Sequence, residues 1–342
     1  MSPVKILASH DGVGCGHVRM IQPLRELAKH GHDVTFSDHR GTAAVESMRK
    51  AREFDVVVGQ RFAGYEGMAI WRKARTPQNR LVYETDDDLF SIDKANWAAY
   101  VQFNRYDVRE AITGYCMTAD LITVTTKTLA EVHRNELNCD NIAILPNCIP
   151  EYMLELPRIK RDRPRIGWIG GASHGIDIHE ASQAVRRFLN RNDGWDLYLG
   201  GTDYRPSFKV RNWDQMIHGD WNQINEDERG YYESIDFDIG LAPVKNTLFS
   251  RSKSALKALE YNARGIPVIA SDVQPYREYV VHGENGFLAK NEYDWTKYIR
   301  LLAEDPDLRH EMGLKGKQHA SQLTHEGNWK LWENAYTSLF KR

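Results

Sequence analysis

At 342 residues, 42% hydrophobic and 27% charged, with a mean hydropathy of -0.57, the chain is long enough for two domains and too polar for a membrane-spanning bundle. A formal net charge of -2 offers no extended basic surface, which argues against nonspecific binding along nucleic acid. Cys15, Cys116, Cys139 and Cys148 lack CxxC spacing, and Met1 to Ala8 is a strand-sized apolar run without the cationic start of a signal peptide. Neither a zinc knuckle nor a disulfide framework is expected, and reduced thiols in the cytoplasm are.

In chain order, Val4 to Ala8 reads as a strand, Ser9 to His17 as a glycine-rich turn, and Met20 to His30 as a helix by its periodicity. Gly31 stops that helix and Asp33 to Ser37 is a second strand, which makes a βαβ unit of a parallel sheet. A dinucleotide fingerprint needs a third glycine three positions after Gly14, and His17 stands there, so a dehydrogenase is set aside although Asp38 sits where a ribose-binding acid would. His17 could donate to a phosphate or shuttle a proton; it could equally be an exposed helix-start residue. Arg19 is open in the same way, between a solvated first-turn residue and a phosphate ligand. Phe54 to Gly59 and Leu81 to Thr85 are further strands, ending near Gln60-Arg61 and Asp86-Asp87-Asp88. The acidic triplet could hold a hard metal ion, cap a helix or touch an acceptor. Asn96 to Met117 reads as one helix, with Trp97, Tyr100, Phe103, Tyr106 and Tyr115 as core, wall or sugar-stacking rings. Leu121 to Thr125 and Ile142 to Leu145 close this half at Pro146-Asn147. The basic run Arg158 to Arg165, between Pro157 and Pro164, reads as an interdomain linker that is either a solvated hinge or an anion contact.

The second half repeats the pattern. Arg165 to Ile169 is a strand, and Gly170-Gly171 lets backbone amides approach phosphates closely. Trp195 to Gly200 and Phe237 to Ala242 add strands. Ser250 to Asp272 carries the most information: Ala255, Leu256, Leu259 and Ala263 make an apolar helical face, and Lys253, Lys257, Glu260 and Arg264 a charged stripe. Ser250 or Ser252 can cap the helix, Gly265 and Pro267 end it, and Val268-Ile269-Ala270 is a buried strand. The helix start and Lys253 would receive a diphosphate, and Glu260, two turns on, would accept the hydroxyls of a ribose. Trp329, Trp332 and Tyr336 line a terminal helix.

This segment, with Pro275-Tyr276 and His282 to Leu288 after it, resembles the donor-binding half of GT-B glycosyltransferases, especially the retaining family 4 (group 1) enzymes. The likeness covers most of the chain. It implies an α/β fold of two Rossmann-like domains facing across a cleft, with the C-terminal helix crossing back to the first. In that family a Glu, seven residues and a second Glu mark the site. Glu260 matches the later one, which holds the ribose, and Ser252 occupies the earlier position. Gly14-Cys15-Gly16-His17 resembles the first GT-B loop, where some relatives carry a His facing diphosphate and acceptor. Asp86 or Asp87 resembles the acid of a His-Asp pair that follows a central strand. Family members place an Arg and a Lys near the loop at Gly170-Gly171; this chain has His174 near the Lys position, so Lys253 and Arg251 would supply the charge.

The expected organisation is an acceptor-side domain over 1-155, a nucleotide-sugar domain over 156-324 and a returning helix over 325-342. Catalytic candidates are His17, Asp86, Asp87 and Lys253. Donor-binding candidates are Gly14, Gly16, Gly170, Gly171, His174, Arg251, Lys253, Ser254 and Glu260. The expected reaction moves a sugar from a UDP- or GDP-linked donor to a glycan, lipid-linked or protein hydroxyl, with retention and without a metal or other cofactor. A nucleotide-sugar epimerase and a catalytically degenerate sugar-binding protein are the rivals.

Overall fold

The apolar runs near the N-terminus become the middle of a parallel sheet, as runs buried on both faces must. The structure is a computed structural model describing residues 3–12, 14–38, 48–220 and 228–341. Its first sheet has strands β1 (Lys5–His10), β2 (Asp33–Asp38), β3 (Val56–Gln60), β4 (Arg80–Thr85), β5 (Leu121–Val124) and β6 (Ile142–Ile144). They are all parallel, in the order β2-β1-β3-β4-β5-β6. The second sheet has β7 (Arg165–Gly170), β8 (Asp196–Gly201), β9 (Met216–Asp220), β10 (Ile239–Ala242), β11 (Val268–Ser271) and β12 (Gly286–Ala289). It is also parallel, in the order β12-β11-β10-β7-β8-β9. Each order reverses direction once, between β1 and β3 and between β7 and β10. The carboxyl ends of strands at such a reversal form the crevice where doubly wound sheets hold ligands.

The chain divides into one unit of Met1–Pro150, Ser252–Ser254 and His325–Arg342, and another of Glu151–Arg251 and Ala255–Thr324. The division thus falls after Pro150 rather than at 155, and three residues of the donor segment go with the first unit. In that unit the helix His325–Thr337 buries Trp332 and Tyr336 in one cluster with Val4, Ile6, Leu24 and Val58. Trp329 stacks on His30 at 3.7 Å and 7°. The aromatic stretch is two helices, Trp97–Phe103 and Tyr106–Thr118, not one. Arg105 between them is extended and its guanidinium grips Asp107 at 3.0 Å, a local bond that competes with continuous helix. Tyr115 and Phe103 are core, whereas Trp97 and Tyr106 are exposed.

In the second unit the basic run is not a solvated hinge. Arg158 Nε donates to Asp236 Oδ1 at 2.5 Å, Arg161 pairs with the other oxygen, and Arg163 reaches Asp196 at 3.0 Å. The helices Leu256–Ala263 and Pro306–Ala320 pack together through Gly313 and Gly316. A Cβ on Gly313 would enter the Gly265 carbonyl oxygen, which is backbone and cannot swing aside. Gly313→Ala is therefore expected to lose about 1–3 kcal/mol, read as a lowered urea midpoint with unchanged m-value; an unshifted midpoint would show that the helices separate freely.

Candidate active site

Strand β7 delivers Gly170 and Gly171 to the carboxyl edge of the second sheet. A Cβ on Gly170 would lie 2.5 Å from the Trp168 indole and 3.0 Å from Lys257 Nζ, so glycine is needed for packing, while Gly171 has open space. The turn Ala172–His174 follows, and His174 Nδ1 lies 2.8 Å from Asp177 Oδ2. The other oxygen of Asp177 accepts the backbone N–H of Lys245 at 2.9 Å, beyond the end of β10. Tyr204 donates its hydroxyl proton to the Ala172 carbonyl at 2.9 Å. One buried carboxylate thus ties together the segments that follow β7 and β10, the two strands flanking the reversal.

On the helix Leu256–Ala263, Lys257 Nζ donates to the Ile169 carbonyl at 2.8 Å and stands 5.3 Å from the Trp168 ring centre. Glu260 is only 2% exposed, and its Oε2 accepts from the Tyr231 hydroxyl at 3.0 Å. Burial raises Glu260 to about 7, although Lys257 and the Tyr231 bond pull the other way. A carboxylate so desolvated accepts strong hydrogen bonds from any hydroxyls that reach it.

The single donor helix read from Ser250 is broken. Thr247 Oγ1 accepts the Ser250 N–H at 3.1 Å and opens a short helix, Leu248–Ser252; a second begins at Leu256 with Ala255 at its cap and no side-chain cap bond. Neither Ser250 nor Ser252 caps it, and Lys253 lies in the break rather than in a first turn. The charged stripe dissolves as well. Arg264 is buried and donates to the carbonyls of Ile235, Leu156 and Pro157, so that Lys257 reaches β7 while Glu260 turns to Tyr231. Arg251, exposed, donates to Asn246 at 2.8 Å.

Within the first unit, polar contacts hold Ser252–Ser254. Thr126 Oγ1 donates to the Ser252 carbonyl at 2.9 Å, Lys253 Nζ to Asp87 Oδ1 at 3.0 Å, and Asn147 Nδ2 to Ser254 Oγ at 2.6 Å. Arg61, in left-handed backbone at φ 51°, reaches Asp11 at 3.4 Å, Asp87 at 3.9 Å and Asp86 at 4.0 Å. Burial works against the charge of Lys253, but Asp87 and Asp86 outweigh it and raise its pKa. The Cys15 thiol is pushed well up by burial and by Asp86. Asp88 makes a turn with Phe90 and Ser91 rather than capping a helix. Among the described residues no group of His, Cys, Asp and Glu has a metal-holding arrangement.

Gly14, at φ 80°, starts the turn, and its carbonyl accepts from the N–H groups of His17 and Val18 at 3.0 and 3.1 Å. Gly16 lies so near Asp11 and Gln60 that a Cβ would fall 2.8 Å from Asp11 Oδ1. His17 is half-buried at the first helical position. Arg19 is neither solvated nor poised for phosphate. It is sealed against both oxygens of Glu84, at 2.8 and 3.2 Å, and donates to Leu145 and Asn147. The residues that sequence reasoning missed are Arg61, Asp177 and Tyr231. For Asp177 the signal was present, since it follows His174 at the i,i+3 spacing that lets side chains meet.

Two doubly wound parallel units with these crevices make the fold GT-B. Residues 251–319 match the family profile described as glycosyl transferases group 1, a span that contains Arg251, Lys253, Ser254 and Glu260. No curated protein sequence matches the chain. Among solved structures, Anabaena HepE in complex with UDP and glucose is 14% identical over 98% of this chain and 100% of its own, with a TM-score of 0.70. Sucrose-phosphate synthase from Thermosynechococcus elongatus is 15% identical over 99% of both chains, at 0.68. A glycosyltransferase from Rickettsia africae is 13% identical over 100% of both, at 0.67. At such identities the likeness is one of fold.

Proposed function

We propose that the protein is a glycosyltransferase that moves a hexose-like unit from a nucleoside-diphosphate sugar, UDP-linked by preference, to a hydroxyl acceptor. The buried carboxylate of Glu260, one helical turn beyond the Lys257 that bonds the Ile169 carbonyl of β7, carries this reading, because it lies in the stretch matched by the group 1 profile. The complex of HepE with UDP and glucose supports the choice of nucleotide. Glu260 would accept the ribose hydroxyls, the amides around Gly170-Gly171 would meet the diphosphate, and Lys257 and His174 would add positive charge. In the transfer the bond from the anomeric carbon to the diphosphate oxygen breaks, that oxygen keeps the electron pair, and the acceptor oxygen bonds to the same carbon and loses its proton. Retention, drawn from the family 4 resemblance, would place acceptor and leaving group on one face of the sugar. His17, Asp86 and Asp87 are acceptor-side candidates. Four free cysteines suit a reducing cytoplasm, and no helix among the described residues is long and apolar enough to cross a membrane.

Transfer should need no divalent metal, since Asp86 and Asp87 already face Arg61 and Lys253. Purified protein with UDP-glucose, UDP-N-acetylglucosamine or GDP-mannose and a panel of alcohol and sugar acceptors should release nucleoside diphosphate in an acceptor-dependent way, with or without excess chelator. Turnover abolished by chelation and restored only by magnesium or manganese would reassign the two carboxylates as ligands. An isomerised nucleotide sugar formed from donor alone would make the protein an epimerase, and tight donor binding without turnover would make it a binding protein.

A further inference from the structure

Asp177 is 6% exposed and lies beside the glycine turn, yet its two oxygens are spent on different segments: one on the His174 ring, one on the Lys245 backbone. The ring's protonation follows from the chemistry of its neighbours. A carboxylate only accepts hydrogen bonds, so Nδ1 must carry a proton to meet Asp177. A donor's phosphate oxygens also only accept, so an imidazole meeting one through Nε2 must carry a second proton there. An imidazole between two such acceptors is a cation. On the assignment of a nucleoside-diphosphate site made above, we infer that Asp177 is a positioning residue that keeps His174 oriented and charged toward the donor's phosphate. The carboxylate–imidazolium pair thereby supplies at this turn the positive charge that a lysine would carry unaided.

Other charged and titratable groups face this pair. Glu180 and His179 stand in the first turn of the helix His179–Leu189, Lys245 follows β10, and the rings of Tyr204 and Tyr276 come from the loop after β8 and from the helix Gln274–Tyr279. Trp168 meets the His174 ring edge-on at 5.8 Å. Glu180 and Lys245 interact with each other, and among the described residues Asp177 is the carboxylate with an oxygen within hydrogen-bond distance of the ring.

The test measures binding of UDP, GDP and ADP by calorimetry between pH 5.5 and 8.5, and compares variants at each pH so that titration of the nucleotide and of Glu260 cancels in the ratio. Asp177→Asn retains an oxygen that accepts from Nδ1–H but loses the charge. For the tightest nucleotide it should bind about tenfold more weakly than wild type at pH 8 and approach wild type near pH 5.5, where the ring is protonated without help. His174→Gln should lose affinity at every pH, and adding Asp177→Asn to it should change little. His174→Lys, whose charge persists, should bind with little pH dependence relative to wild type whether or not Asp177 is replaced. A loss in Asp177→Asn that is the same at all pH values, or a His174→Gln protein that binds like wild type, overturns the inference while leaving the donor site in place. Failure of wild type to bind any of the three nucleotides overturns the donor site as well.

Discussion

Replacing Arg19 with methionine is expected to destabilise the first unit by about 3–5 kcal/mol, the usual consequence of removing one member of a buried, hydrogen-bonded ion pair. The size follows from what is left behind. Glu84 sits 2% exposed on β4, already raised above its ordinary value by burial with Arg19 opposing, and it also accepts a hydrogen bond from the Thr123 hydroxyl. Without Arg19 the carboxylate keeps its desolvation and loses its compensation, and the Leu145 carbonyl loses a donor at 2.7 Å. Raising Glu84 further shifts its contribution toward acid: stability is retained below its unfolded pKa and lost as pH rises through the folded one, so the deficit should shrink on acidification. Arg19→Met combined with Glu84→Gln should recover part of the loss. Denaturant midpoints of wild type, Arg19→Met, Glu84→Gln and the double variant measure this, and a loss in Arg19→Met under about 1 kcal/mol would mean that the pair is easily replaced by packing.

Glu260→Gln should move binding and stability in opposite directions. The substitution keeps size and an acceptor for Tyr231 but removes the charge that strengthens hydrogen bonds from ribose hydroxyls. UDP affinity should fall by about 1.5–3 kcal/mol at pH 8. A 2′-deoxyribose nucleotide, lacking one of those hydroxyls, should show a smaller difference between variant and wild type. For stability the sign reverses. Glu260 is raised to about 7 by burial, so its contribution is fully present below the unfolded carboxyl range and is lost as pH rises through 7. Glutamine has no such loss, and the variant should be more stable than wild type at pH 8 by about 1–3 kcal/mol and gain less at pH 5. Calorimetric binding and thermal melts at the two pH values check both halves; unchanged UDP affinity in a folded variant would remove Glu260 from the donor site.

Strands that are apolar on both faces and followed by glycine announced the two units, and β1, β3, β4, β7 and β11 lie within a residue or two of their expected limits. The strands that escaped notice had weaker signatures. β9, Met-Ile-His-Gly-Asp, is only partly buried at a sheet edge, and β12 is a four-residue strand that begins at a glycine inside the His282 to Leu288 stretch. The break at Lys253 was invisible for a different reason. Nothing in Ser252-Lys253-Ser254 forbids helix; Thr126, Asp87 and Asn147 hold it open from more than a hundred residues away. Arg61 escaped in the same manner, since its three carboxylates arrive from the ends of different strands. Periodicity reports the nearest turns of the chain, and these residues answer to distant ones. Glu260 stayed on its helix as read, because burial there agrees with local pattern.

The terminal helix has a consequence for how the protein is made. Trp332 and Tyr336 share a cluster with Val4 and Ile6, so the first unit is completed only after the residues of the second have been made. Residues 151–251 and 255–324 are all synthesised before that helix, so the second unit has its whole sequence available while the first still shows water the patch that Trp332 and Tyr336 will cover. Synthesis thus runs against the usual order in which the N-terminal domain folds first. For that interval the nascent first half exposes apolar surface of the kind that chaperones bind, and a premature stop before His325 would make the exposure permanent.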